Sequence, residues 1–261
     1  MKKRWLSLLL ASLTLGVGVA CDGTANYEEK APTYASDKEF YIGMWVGVPS
    51  VLKTYDEDGR VIGTSAPLTE ADYDNHYKLI FEAGFNEFSE AYNIQILKAA
   101  QKYNLNQYLN DYEIRSLLLD TTQDEATVET KLNNLAAKYM AYDSFAGLKI
   151  TDEPSFDRIA SYSIGKQRFD KVFGEDKIFY INLLPVIAGP LAVTANYQDY
   201  IREYVEKIGT HYVSYDYYPL KTNAKEENYV LEHFLYNMEL VKEAAPDKDM
   251  WTFLQSIEYG T

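Results

Sequence analysis

Two adjacent carboxylates, Asp152 and Glu153, stand in the stretch GLKITDEPS (147–155) between an apolar run and a proline, and a third, Asp216, is set among aromatics in HYVSYDYYP (211–219). Carboxyl groups in pairs do acid–base and nucleophilic work. One, kept protonated by an apolar or acidic setting, delivers a proton to a leaving group; the other, ionised, attacks carbon or activates water. Neighbouring side chains of an extended strand point to opposite faces. Glu153 is therefore expected to pair with Asp216, and Asp152 to support the pair. The plainer alternatives stay open, because an acid beside proline also commonly opens a helix and Asp216 would equally begin a turn before Pro219.

Whether these residues end strands depends on the elements around them. From about residue 39 the chain alternates short apolar runs with amphipathic segments, as expected of parallel strands linked by crossover helices. FYIGMWVGV (40–48) reads as a first strand, FNEFSEAY (85–92) as a second, LNQYLND (105–111) as a third and FAGLKITDEP (145–154) as a fourth. KIFYINLLP (177–185), almost continuously apolar as in a sheet buried on both faces, is the fifth; HYVSYDYYP the sixth and MWTFLQSIEYGT (250–261) the seventh. Helices are predicted from Thr69, a capping residue, to Gly84, over 93–104, over 125–142, over 156–173, over 197–209 with a glycine end, and over 227–245. YEIRSLLLD (112–120) fits neither pattern clearly.

Seven strand-like runs with crossovers predict an α/β fold, most of a (β/α)8 TIM barrel, with an eighth strand and helix expected beyond the last residue. A doubly wound sheet is the alternative, but no glycine-rich phosphate turn follows the first strand. In a barrel of this class the functional residues lie where strands end. Glu153, Asp152 and Asp216 qualify, as do Gln255 and, slightly further on, Glu258.

The leading residues 1–20, MKKRWLSLLLASLTLGVGVA, carry three positive charges, an apolar run and small residues directly before Cys21, the single cysteine. This is a secretory signal layout, and it resembles a bacterial lipoprotein signal in which the cysteine is lipidated. Residues 21–38 read as a polar tether, leaving a domain over 39–261. The expectation is an exported protein held at the envelope by its lipid, with no other membrane attachment. Without Lys2, Lys3 and Arg4, 22 of the 25 basic side chains remain against 39 acidic ones, a net charge of −17. Such a surface repels nucleic acid.

GLKITDEP, VSYDYYP and WTFLQS together resemble the TIM-barrel glycoside hydrolase superfamily, and more narrowly its often lipid-anchored bacterial members. The resemblance covers about residues 40–261 and implies a carbohydrate substrate. It implies a strand-four acid, at Glu153, with Asp152 where an asparagine is usual. A strand-seven nucleophile is also implied, but Gln255 occupies that position, so Asp216 is the candidate partner. Tyr215 and Tyr217 would then position Asp216. Trp45 and Tyr218 would stack on sugar rings, and Asn86, Asn110 and Asn182 would bond hydroxyls.

Other chemistries have little support. His76, His211 and His233 are isolated, no second cysteine completes a thiolate site, and neither a phosphate loop nor a serine elbow occurs. No cofactor and no catalytic metal are expected. The expectation is thus a glycosidase, with a non-catalytic glycan-binding protein on the same scaffold as the alternative, and a barrel lyase behind both.

Overall fold

The computed structural model describes residues 42–45, 48, 51–58, 60–91, 93–188, 196–219 and 228–253, all within one compact unit spanning 41–261. The segments at 1–20 and 21–38, with Cys21, and the candidates Gln255 and Glu258 lie outside the described residues.

An antiparallel hairpin, β1 (Val51–Tyr55) and β2 (Val61–Pro67), precedes the main sheet. Six parallel strands follow in consecutive order: β3 (Glu87–Ala91), β4 (Asn106–Asn110), β5 (Phe145–Asp152), β6 (Ile178–Leu183), β7 (Tyr212–Tyr215) and β8 (Asp249–Thr252). Consecutive parallel order with a helical crossover at each step is the construction of a β/α barrel. These six are the second to seventh strands predicted from sequence. Of the first, residues 42–45 and 48 form no strand and the others of 40–48 lie outside the described residues; just ahead of β3 the Ile42 carbonyl accepts from the Asn86 backbone amide, and the Ile42 amide donates to the Asn86 side-chain oxygen.

The crossover helices start where local chemistry allows. Helix α1 (Glu70–Glu82) opens on a capping box in which Thr69 accepts from the Asp72 amide and the Asp72 carboxylate accepts from Thr69. Asn93 caps α2 (Ile94–Lys102), Asp111 caps α3 (Tyr112–Leu118) and Asp124 caps α4 (Glu125–Tyr139). The single helix expected over 156–173 is two, a short α5 (Phe156–Ile159) and α6 (Tyr162–Phe173). Then come α7 (Tyr197–Ile208), closed by Gly209 in the left-handed region at φ 74°, and α8 (Asn228–Ala244).

Period-two alternation along the strands separates two interiors. Phe179, Ile181 and Leu183 of β6, Leu148 and Ile150 of β5, and Val213 and Tyr215 of β7 enter the main core together with buried helix residues such as Leu132, Phe169, Ile201 and Tyr204. Tyr108, Tyr180 and Tyr212 occupy the opposite face with Trp45, Ile178 and Trp251. Their rings run in a row, with centroids 5.0 Å apart for Tyr108 and Tyr180, 6.2 Å for Tyr180 and Tyr212, and 4.1 Å for Tyr212 and Trp251. Three of the chain's 24 tyrosines thus fill the inner face of the sheet.

Arg168 of α6 ties the helices together. It donates to the carbonyl of Leu118, the last residue of α3, at 3.0 Å, to that of Asp120 just past the helix at 2.7 Å, and to the Glu125 carboxylate at 2.6 Å. Its side chain is only 7% exposed; on truncation the Glu125 carboxylate, 59% exposed, can turn to water, but the carbonyl of fully buried Leu118 cannot. Arg168→Leu is expected to lower stability by about 3 kcal/mol. In thermal unfolding that is a Tm lower by roughly 6–12 °C for a domain of this size.

Candidate active site

At the carboxyl ends of β5, β6 and β7, residues from three strands converge on the inner face. Asp152 ends β5, and Asp216 follows β7 directly. Asn182 of β6 lies between them, paired in register with Asp152 on one side and Ser214 on the other. Its amide nitrogen donates to Asp152 at 3.1 Å and to Asp216 at 3.0 Å. The Ser214 hydroxyl donates to the Asn182 amide oxygen at 3.2 Å and contacts the Tyr180 hydroxyl at 2.9 Å. With its oxygen held by Ser214, Asn182 can only turn its NH2 group toward the two carboxylates.

Glu153 completes the group through an unusual backbone. Its φ is 47°, in the left-handed region that costs a residue with a Cβ about 1 kcal/mol or more. Two bonds hold it there: the Glu153 amide donates to the Asn182 carbonyl at 2.8 Å, and the Pro154 carbonyl accepts from the Tyr200 hydroxyl at 2.6 Å. Tyr200 also accepts from the Leu184 amide at 3.2 Å, so one buried hydroxyl of α7 ties the chain just past β5 to the chain just past β6. The left-handed turn brings Glu153 to the same side as Asp216, and the two carboxyl groups hydrogen-bond each other.

Their environments separate their roles. Desolvation first, then the charges of Asp216 and Asp152, push the Glu153 carboxyl up to about 7. Burial also raises Asp216, but hydrogen bonds from Asn182 and Tyr218 favour its ionised form. The proton between them therefore belongs on Glu153, and the negative charge on Asp216, the more buried of the two.

Several expected site residues lie elsewhere. Tyr215 and Tyr217 belong to the main core: both are fully buried, Tyr215 with its hydroxyl on Met250 and Tyr217 against the Phe234 ring. Counting in twos from Asp216 turns both to the helix side of the sheet. Asn86 precedes β3 and so lies at the amino end, where its side chain accepts from the Ile42 amide. Asn182 is buried and committed to the carboxylates, not open to a sugar hydroxyl. One face of Trp45 carries the Lys149 ammonium, 3.2 Å from the ring centroid, and the ring meets Phe253 edge-on, so that face is no open platform. Asn110 is at the carboxyl end of β4, where Arg115 donates to it at 3.4 Å.

Tyr180, Ser214, Tyr200 and Lys149 were not picked out from sequence. Period two would have found the first two, since Tyr180 shares a face with Asn182 and Ser214 with Asp216. Nothing local marks Tyr200. Among the described residues no group of three or more His, Cys, Asp or Glu side chains is placed to hold a metal ion. A cavity of about 290 Å³ opens at the other end of the sheet, where Lys166 and Asp170 neutralise each other and no reactive pair converges.

The sequence matches no family model and no curated protein. Among solved structures the chain is similar to a candidate alpha-L-fucosidase from Bacteroides thetaiotaomicron (12% identity, TM-score 0.40, covering 83% of this chain and 90% of that one). It is also similar to a plant beta-glucan endohydrolase (8%, TM-score 0.48, 81% and 74%). A beta-glucuronidase from an uncultured Clostridium species is a third (15%, TM-score 0.36, 82% and 44%), and this chain spans less than half of its length. Likenesses at this level carry no functional weight, and the chemistry has to come from the side chains themselves.

Proposed function

We propose that the chain is a glycoside hydrolase in which Glu153 protonates the glycosidic oxygen and Asp216 attacks the sugar or activates water. One observation carries this: at the carboxyl ends of parallel strands, a carboxyl raised to about 7 hydrogen-bonds a second carboxyl that Asn182 and Tyr218 hold in its ionised form. Cleaving an acetal needs one proton donor and one carboxylate on opposite sides of the bond. In hydrogen-bonding contact the pair leaves no room for a sugar carbon, since retaining enzymes hold their carboxyls roughly 5–5.5 Å apart and inverting ones 6.5–9.5 Å. Substrate entry must therefore break the Glu153–Asp216 bond, which the exposed Glu153 side chain can do by rotating. Asp152 and Tyr218, at the same strand ends, complete the polar wall, and Asn110 borders it.

A broad glycan screen tests the proposal: the wild-type protein releases reducing sugar from at least one glycan, and Asp216→Asn lowers that turnover at least about a hundredfold. Full turnover in Asp216→Asn removes the pairing. The closed carboxyl pair also supports a second reading, a glycan-binding protein without catalysis. Binding without release by the wild type would select it.

Export and lipid anchoring through Cys21 are part of the same proposal, supported by the charge and hydropathy layout of residues 1–20. Among the described residues no helix is long and apolar enough to cross a membrane. Cys21→Ser is expected to move the protein from the membrane fraction to the soluble one, and unchanged fractionation would overturn the anchor.

A further inference from the structure

Lys149 has no role in acid–base work, yet it occupies the inner face of β5 beneath the carboxyl cluster. It is half-buried, pairs in register with Tyr180, and holds its ammonium over Trp45. A cation in that position is costly without an anion to meet it. Among the described residues neither Lys149 nor Arg115 makes an ion pair with a carboxylate, whereas Lys102, Lys166, Arg168 and Lys171 all do. Lysines of the same kind elsewhere, such as Lys98 and Lys138, are exposed, where water solvates them. Burial and the nearby Arg115 depress the Lys149 ammonium, and Asp152 opposes this, so the three charges sense one another. Arg115 is only partly exposed, beside Asn110 at the end of β4, with its guanidinium 5.4 Å from the Tyr112 ring centroid.

A neutral sugar would need none of this. An acidic one would, because three carboxyls already face the cleft in a chain of net charge −14, and an anion is repelled unless cations offset it locally. We propose that the cleft takes an anionic glycan, with Lys149 and Arg115 receiving a carboxylate or sulfate group on a sugar bound beside Asp152. The inference rests on the reading of this end of the sheet as a glycan site, and it adds the substrate class. Arg115 supplies a fork suited to a planar carboxylate or a sulfate edge, and Lys149 a point charge from below.

The test is calorimetric titration of the full chain carrying Glu153→Gln, to suppress turnover, with matched neutral, uronate-containing and sulfated oligosaccharides of equal length. At low salt, at least one acidic set is expected to bind about tenfold more tightly than its neutral counterpart, the worth of one charge-assisted contact. That ratio collapses in Lys149→Met, whose unbranched stem can still lie over Trp45, and in Arg115→Gln. Preference confined to the uronate arm identifies a carboxylate ligand, and preference confined to the sulfated arm a sulfate. Equal binding of acidic and neutral sugars, no binding of either, or an acidic preference that survives both substitutions overturns the inference. Turnover of neutral glycans alone by the wild type sinks this inference and leaves the hydrolase standing. Acidic sugars bound through Lys149 and Arg115 without any turnover do the reverse.

Discussion

Glu153→Gln is expected to remove about 10²–10⁴-fold of the turnover, the usual worth of a general acid, and at the same time to make the protein more stable above pH 7. The two effects share one cause. In the folded protein Glu153 keeps its proton up to about pH 7, against 4.5 for an ordinary glutamate, because desolvation and the charges of Asp216 and Asp152 oppose ionisation. The unfolded chain releases that proton near pH 4.5. Stability that is fully present below 4.5 is therefore lost as pH rises through about 7, and no further loss follows above it. Glutamine does not titrate, and its amide can donate to Asp216 as the protonated acid does. The Tm difference between variant and wild type should be near zero at pH 4, grow between 4.5 and 7, and level off beyond. As Glu153 is partly open to water, the gain is modest, roughly 2–4 °C. In kcat/KM of the wild type the same group should give a limb that falls as pH rises through about 7. A glutamine variant less stable than wild type at pH 8 would show that the carboxyl is not held under electrostatic stress.

Gly147→Ala is expected to prevent stable folding. Gly147 faces Ile178 across the β5–β6 ladder, and a Cβ there would stand 2.1 Å from the Ile178 carbonyl oxygen and 2.6 Å from its nitrogen. The obstacle is backbone, not the end of a flexible side chain, so the strands must part. Strand β5 carries Lys149 and Asp152, and Asp152 reaches Asn182 across that ladder. Loss beyond about 4 kcal/mol follows, a value confined to a few mechanisms of which forced separation of packed backbone is one. Soluble yield and thermal unfolding measure it, and a variant that melts within a few degrees of wild type would show that β5 and β6 can shift to accept a methyl group.

Much of this arrangement was legible in the residues. The spacing of Val128, Leu132, Leu135 and Tyr139 marked α4, the Thr69 cap marked the start of α1, and Gly209 marked the end of α7, because helix periodicity and end chemistry are local properties. Glu153 and Asp216 could be paired because a parallel β/α fold delivers strand ends to one rim. The hairpin β1–β2 was missed although Asp58-Gly59 between two β-rich runs is a hairpin signal. Aromatic type outweighed side-chain direction at Tyr215 and Tyr217, where counting in twos from Asp216 would have turned both toward the core. Asn86 failed on a boundary, as the strand it was meant to end begins just after it. The left-handed turn at Glu153 had no signal at all, since neither its own side chain nor Pro154 encodes it. It comes from Asn182 and Tyr200, which are distant in sequence.

The row of rings from Tyr108 through Tyr180 and Tyr212 to Trp251 makes the protein its own optical reporter. Aromatic transition dipoles fixed a few ångströms apart couple to one another, and Tyr212 and Trp251 lie almost parallel, 7° between planes. Near-ultraviolet circular dichroism and energy transfer from tyrosine to Trp251 should therefore follow the closure of the sheet's inner face during folding. They would do so without a label and with no need to know the substrate.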